Sequence, residues 1–213
     1  VRVEEFGSIY APKGVTDFVV TADQTGLQKA TMSFVVPKEN YQGEPLSSVS
    51  KIEILRNGKL IKTFENPVLG ATLTYEDEHS DFGFNTYGIV AYSGENAGVK
   101  VEQTVFCGIY SLPYIVAPTQ QEFSLFTIKD NNNDDNTWYY DISDGSLKYA
   151  YCSNSADDYV VTPAIELGTA HMIEVVFDAK AGVMGSEKLE VTYGKSDKPE
   201  DQQKAQTFDL TNK

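Results

Sequence analysis

Ile52-Glu53-Ile54-Leu55-Arg56-Asn57-Gly58-Lys59-Leu60-Ile61-Lys62-Thr63-Phe64 reads as two short runs hinged on Asn57-Gly58. Ile52 and Ile54 alternate with Lys51 and Glu53, which is the two-residue period of a strand with one buried face. Asn-Gly tolerates the positive φ angles of a type I′ turn, whose twist matches that of the strands it joins. The stretch predicts a β-hairpin.

Outward from that hairpin the same period recurs. Val15 to Thr21 alternates weakly, and Ala30, Met32, Phe34 and Val36 alternate with Thr31, Ser33 and Val35. Thr72 to Tyr75, Thr86 to Tyr92 and Val99 to Phe106 complete seven short strands separated by turn residues. That spacing predicts an antiparallel sandwich, and no helical stripe competes with it.

Composition narrows the function classes. The chain has 213 residues, of which 41% are hydrophobic and 23% charged, enough apolar material for a core. No apolar run approaches the roughly 20 residues of a membrane-spanning helix, so no membrane span is expected in this chain. The formal net charge is −14, with 17 basic residues against 31 acidic. Nucleic acid is therefore a poor partner, since counterion release needs clustered Lys and Arg. Cys107 and Cys152 are too far apart for a metal knuckle, and two histidines cannot form a three-histidine zinc site. A disulfide between the two cysteines is left open. The chain opens on Val1 with no charged-then-apolar leader, which suggests a removed signal segment and a part of a longer polypeptide.

Over about Pro12 to Gly108 the residues resemble a fibronectin type III domain. The resemblance rests on the strand order, the hairpin at Asn57-Gly58, and Tyr87-Gly88-Ile89-Val90-Ala91-Tyr92, which looks like that family's Tyr-x-Val-x-Ala strand. It implies that the tyrosine hydroxyl ties back to backbone at a loop corner. The core tryptophan usual on the family's second strand is missing, so Phe34 or Met32 must fill its volume. No Arg-Gly-Asp occurs in Ser93 to Gly98.

Texture changes after this region. Residues 1–110 are assigned to the first sandwich, 111–118 to a stiff proline-containing connector, and 119–213 to a second all-β domain. Strand-like runs there are Phe123 to Ile128, Trp138 to Ile142, Leu147 to Ser153, Tyr159 to Val161, His171 to Asp178 and Lys188 to Tyr193. His171 to Asp178 suits a strand buried on both faces. Ser196 to Lys204 suggests an exposed loop, with Phe208 to Leu210 undecided. Acidity concentrates here, with eight basic against seventeen acidic residues after Tyr110 and nine against fourteen up to it.

Asp130-Asn131-Asn132-Asn133-Asp134-Asp135-Asn136 places an oxygen-bearing side chain at each of seven consecutive positions. Calcium takes six to eight oxygen ligands, and Asp130, Asn132 and Asp134 converge if the loop curls round one ion. The competing reading is a solvated turn, because Asn and Asp form turns through local hydrogen bonds. An EF-hand is excluded: the central glycine, the twelfth-position glutamate and the flanking helices are all missing.

This loop, the following Trp138, and the later segment Asp157 to Leu167 together are similar to the cleaved-adhesin or choice-of-anchor J modules of bacterial surface proteins. The likeness spans roughly Gln121 to Gly194. It implies a jelly-roll, concanavalin A-like sandwich, here shorter than usual, so that the last strands are missing, supplied by a further segment or replaced, with structural calcium held by Asp130, Asn132 and Asp134 and further by Asp157 or Asp158. Asn132 stands where an aspartate is common, which keeps an oxygen but lowers the charge.

No catalytic signature emerges. Gly185-Ser186 lacks the context of a nucleophile elbow, His79 and His171 have no partner at metal spacing, and Cys152 lies in a strand-like run. The aromatic residues are the better clue. Trp138, Tyr139, Tyr140, Tyr149 and Tyr151 crowd the Asn/Asp loop, and rings beside amides and carboxylates form the usual platform for sugars, with Trp138, Tyr140, Tyr149 and Tyr151 the candidate ligand-binding set. Against this, alternate members of Trp138-Tyr139-Tyr140 must face inward on a strand. The sequence thus predicts an all-β, non-catalytic, secreted or cell-surface module pair for adhesion, binding carbohydrate or another extracellular protein. The alternative is a spacer or anchor for a neighbouring secreted hydrolase.

Overall fold

The computed structural model describes residues 8–149, 156–181 and 187–210. Among these residues it is all-β apart from two single turns of helix, and the chain divides into two compact units, Val1–Ile109 and Tyr110–Lys213.

The first unit contains β1 (Thr16–Ala22), β2 (Ala30–Val35), β3 (Lys51–Arg56), β4 (Lys59–Glu65), β5 (Thr72–Asp77), β6 (Gly83–Ser93), β7 (Asn96–Ala97) and β8 (Val101–Cys107). One antiparallel sheet has the order β1-β2-β5. The other runs β4-β3-β6, with β8 and the short β7 both paired to β6. The β3–β4 hairpin closes at Asn57 and Gly58, both left-handed at φ 51° and 80°, as the Asn-Gly pair dictates.

Alternation decides which side chains meet between the sheets. Phe18 and Val20 of β1, Met32 and Phe34 of β2, Ile52 and Ile54 of β3, and Tyr87 and Ile89 of β6 are all buried. Phe34 is completely enclosed and meets Phe18 and Phe64 edge-on, with centroids at 6.5 and 6.3 Å. Phe34, with its two aromatic neighbours, and Met32, 1% exposed, thus fill the middle of this core. Gln103 of β8 adds a polar tie, accepting from Val20 N at 3.0 Å and donating to Phe18 O. It serves two β1 backbone groups beside the register shift between Thr16 and Val19.

The Tyr87 hydroxyl does not tie back to backbone as the resemblance implied. It donates to the Asp77 carboxylate at 2.8 Å, and Arg56 pairs with the same carboxylate at 2.7 Å. The cause is the register: Arg56 lies opposite Tyr87 across β3 and β6, and Asp77, 5% exposed, ends β5.

The second unit contains β9 (Tyr110–Ser111), α1 (Gln120–Phe123), β10 (Thr127–Asp130), β11 (Trp138–Asp141), β12 (Ser146–Tyr149), β13 (Asp158–Val161), β14 (Ile165–Glu166), β15 (Glu187–Gly194) and β16 (Gln202–Leu210). Among the described residues these form four two-stranded ladders, β10–β13, β11–β12 and β15–β16 antiparallel and β9–β14 parallel.

Several expectations change here. The strand placed at Phe123 to Ile128 begins only at Thr127, because Thr119 caps a helical turn by accepting from Glu122 N at 3.1 Å. Tyr110, expected to end the first domain, and Tyr114, expected within a stiff extended connector, pack ring to ring at 4.4 Å and both donate to Glu122. Burial first and the Glu122 bond second push the Tyr110 phenol up to about 12. The polar stretch at Ser196 to Lys204 is a loop only to Asp201, since β16 begins at Gln202 and pairs along β15 through a register shift.

His171 to Asp178 is not a buried strand. Residues 171–180 are exposed throughout, and Met172 to Ala181 lie outside every strand. Apolar, β-branched residues favour extended backbone, but a strand also needs a neighbour to accept its hydrogen bonds, and no described residue supplies one. Cys107 is a buried free thiol, and Cys152 lies outside the described residues.

Candidate functional site at the Asn/Asp loop

β10 and β13 pair so that Asp130 lies opposite Asp158. One residue further on, Asn131 N donates to Asp157 O at 3.1 Å, extending the ladder into the loop. Asp130 then receives the returning chain, its Oδ2 accepting from Asp135 N at 2.9 Å and its Oδ1 from Asp134 N at 3.3 Å. Asp134 accepts from Asn136 N at 2.9 Å and from the Asn132 amide at 3.2 Å. Asn133 and Asp135 are left-handed at φ 54° and 62°, a conformation that Asn and Asp tolerate better than other side chains.

The structure therefore brings Asp130, Asn132, Asp134, Asp157 and Asp158 to one end of the β10–β13 ladder. Several of their oxygens are turned onto the loop's own amides. Among the described residues, no three His, Cys, Asp or Glu side chains are grouped as a metal ligand set.

Asp158 is the most constrained of the five. Its main-chain oxygen accepts from Trp138 Nε1 at 3.3 Å and its Oδ2 from the Tyr149 hydroxyl at 3.0 Å. Its Oδ1 is buried without a hydrogen-bond partner. An unpartnered buried carboxylate oxygen costs about 1–3 kcal/mol or more, and the hydroxyl of Thr137, at the end of the loop, is likewise buried without a partner.

The aromatic residues occupy the neighbouring β11–β12 hairpin, where Trp138 lies opposite Tyr149 and Tyr140 opposite Leu147. Trp138 and Tyr149 are half-buried, their rings 5.8 Å apart, and both direct their polar atoms to Asp158. Tyr140 packs on Phe123 at 4.8 Å and donates to Pro118 O at 3.0 Å. Tyr151 lies outside the described residues. On the opposite face of the hairpin, the exposed ring is that of Tyr139, at 46%, beside Lys148. Lys148 bridges Asp141 at 2.6 Å and Asp144 at 2.7 Å, and these bonds, with those from Ser143, hold the Asp141 carboxyl well below its ordinary range.

Two features escaped the sequence reading. The Glu122 clamp on Tyr110 and Tyr114 carries a legible signal, because Thr119-x-x-Glu122 has the form of a capping box. The Lys148 bridge carries none beyond charge. His79 and His171 are both exposed. No known protein-family profile matches the chain, and no curated protein sequence matches it significantly.

Proposed function

We propose that this chain is a non-catalytic pair of secreted or cell-surface β modules, a fibronectin type III-like unit followed by an adhesin-like unit, that serves attachment to carbohydrate or glycoprotein. In this reading the second unit is held by a structural calcium ion at the Asn/Asp loop. The observation that carries it is the orphaned Oδ1 of Asp158, opposite Asp130 and beside a loop rich in side-chain oxygens. A hard cation satisfies such an oxygen without needing a proton, and neutral amide oxygens such as that of Asn132 complete its shell. Because the ion binds the folded unit alone, it adds stability by mass action.

Thermal melting with calcium and with a chelator tests the ion. The midpoint should rise with calcium, and identical midpoints would leave the loop as a self-capped turn. A glycan and matrix-protein array tests attachment, with binding to a defined glycan or glycoprotein expected. A second reading, spacing or anchoring a neighbouring secreted hydrolase, is favoured by one observation. The polar atoms of Trp138, Tyr140 and Tyr149 are already bonded to Asp158 and to the Pro118 carbonyl, where a sugar platform would use them for hydroxyls of its ligand. A blank array selects this reading.

A further inference from the structure

Residues 171–180 are ten consecutive exposed positions that include Met172, Ile173, Val175, Val176 and Phe177, at 90, 44, 67, 84 and 42% exposure. With Phe208 and Leu210, residues Val175, Val176, Phe177 and Ala179 line an open groove of about 330 Å³. Apolar exposure on this scale marks an interaction surface. The backbone of residues 172–181 forms no ladder, so it also presents a row of amide and carbonyl groups of the kind that recruits another strand.

The charges on the segment specify the recruit. Odd positions Ile173, Val175, Phe177, Ala179 and Ala181 are all apolar, whereas even positions carry Glu174, Asp178 and Lys180. Facing residues of an antiparallel pair point to the same side, so only registers matching odd with odd keep the apolar faces together. Centring on Val176 sets Glu174 against Asp178, and centring on Asp178 sets like charges against each other. Centring on Val175 pairs no charges. Centring on Ala179 sets Asp178 against Lys180 twice over but pairs only residues 177–181, whereas centring on Phe177 sets Phe177 against itself, Val175 against Ala179, and Glu174 against Lys180 twice over while pairing residues 173–181. Neither Glu174 nor Lys180 forms an ion pair among the described residues.

We propose that residues 172–181 pair antiparallel with the same segment of a second copy of this chain, in the register centred on Phe177, forming a two-fold dimer through one continuous ladder. Two-fold symmetry is the natural closure for identical antiparallel strands, because the surface is complementary to itself. The reciprocal Glu174–Lys180 pairs, together with the longer ladder, favour this register and oppose the general repulsion between two chains of net charge −14.

Sedimentation equilibrium of the whole chain at about 0.15 M salt, where the Debye length is about 8 Å, tests this. A concentration-dependent monomer–dimer equilibrium is expected. Glu174→Lys and Lys180→Glu should each weaken it about tenfold, and the double exchange should restore it to within about threefold. Amide exchange across 172–181 in the unsubstituted chain should slow as concentration rises. A monomer at every concentration, or a double exchange as weak as the single ones, overturns the proposal and leaves the segment to a strand of different sequence.

Discussion

The hydroxyl of Tyr87 donates to Oδ2 of Asp77 at 2.8 Å, and Arg56 donates to that same oxygen at 2.7 Å. Tyr87 is fully enclosed and Asp77 is 5% exposed, so one carboxylate neutralises a cation and satisfies a phenol inside the first unit. Burial first, and the Asp77 bond second, push the Tyr87 phenol far above its ordinary value.

From this follows an asymmetry between two substitutions. Tyr87→Phe removes one hydrogen bond and leaves the ion pair, costing about 1–2 kcal/mol. Asp77→Ala leaves the Tyr87 hydroxyl unpaired and takes the nearest carboxylate from Arg56, which keeps the His79 carbonyl and Asp81 at 3.5 Å, and should cost about 3 kcal/mol. Urea denaturation of the first unit measures both, and equal costs would show that the ion pair contributes nothing.

Glycine substitutions should separate conformational strain from collision. Gly58 has φ 80° and open space where a Cβ would stand, so Gly58→Ala should cost only the left-handed penalty of about 1–2 kcal/mol. At Gly98 an added Cβ would run into the Pro12 carbonyl oxygen, and backbone is harder to displace than a side-chain tip. Gly98→Ala should therefore destabilise more than Gly58→Ala in the same denaturation series.

Alkali should loosen the second unit before the ordinary limit of the fold. Burial and the Glu122 bond raise the folded-state value of Tyr110 to about 12, against about 10 for an unfolded tyrosine. The folded form thus holds its phenolic proton more tightly. That stability is complete below about pH 10 and is lost between about pH 10 and 12. Trp138, the chain's one tryptophan, reports this unit by fluorescence, and Tyr110→Phe should shrink the alkaline fall in midpoint. An unchanged fall would show that the Tyr110–Glu122 contact is not linked to folding.

Asp158→Asn replaces the orphaned oxygen's charge while preserving its shape. If calcium engages that atom, the substitution should abolish most of the calcium-dependent rise in midpoint. Without calcium, it should leave the stability within about 1 kcal/mol of the original. A full calcium response in the variant would move the ion elsewhere.

Strands with two-residue alternation and a turn pair between them were readable at once. Every strand expected before Cys107 exists, with ends shifted by a few residues. Beyond Tyr110 the reading weakened for identifiable reasons. Phe123 looks like the start of a strand until Thr119 and Glu122 are recognised as a cap, and Met172 to Phe177 has strand composition but finds no ladder among the described residues. The five residues assigned to a cation were grouped by composition and a resemblance, and the β10–β13 register is what brings Asp130 and Asp158 opposite each other.

Local chemistry in the sequence determined the all-β class, the Asn57-Gly58 hairpin and the faces of the first unit, because alternation and left-handed turns depend on near neighbours alone. Tertiary structure alone decided that Tyr87 meets Asp77, that Gln103 serves β1, and that Asp158 is left with an unpaired oxygen. Those outcomes depend on register between strands far apart in the chain. A shift of one residue sends every side chain to the other face, and no short stretch of sequence encodes which alternative packs.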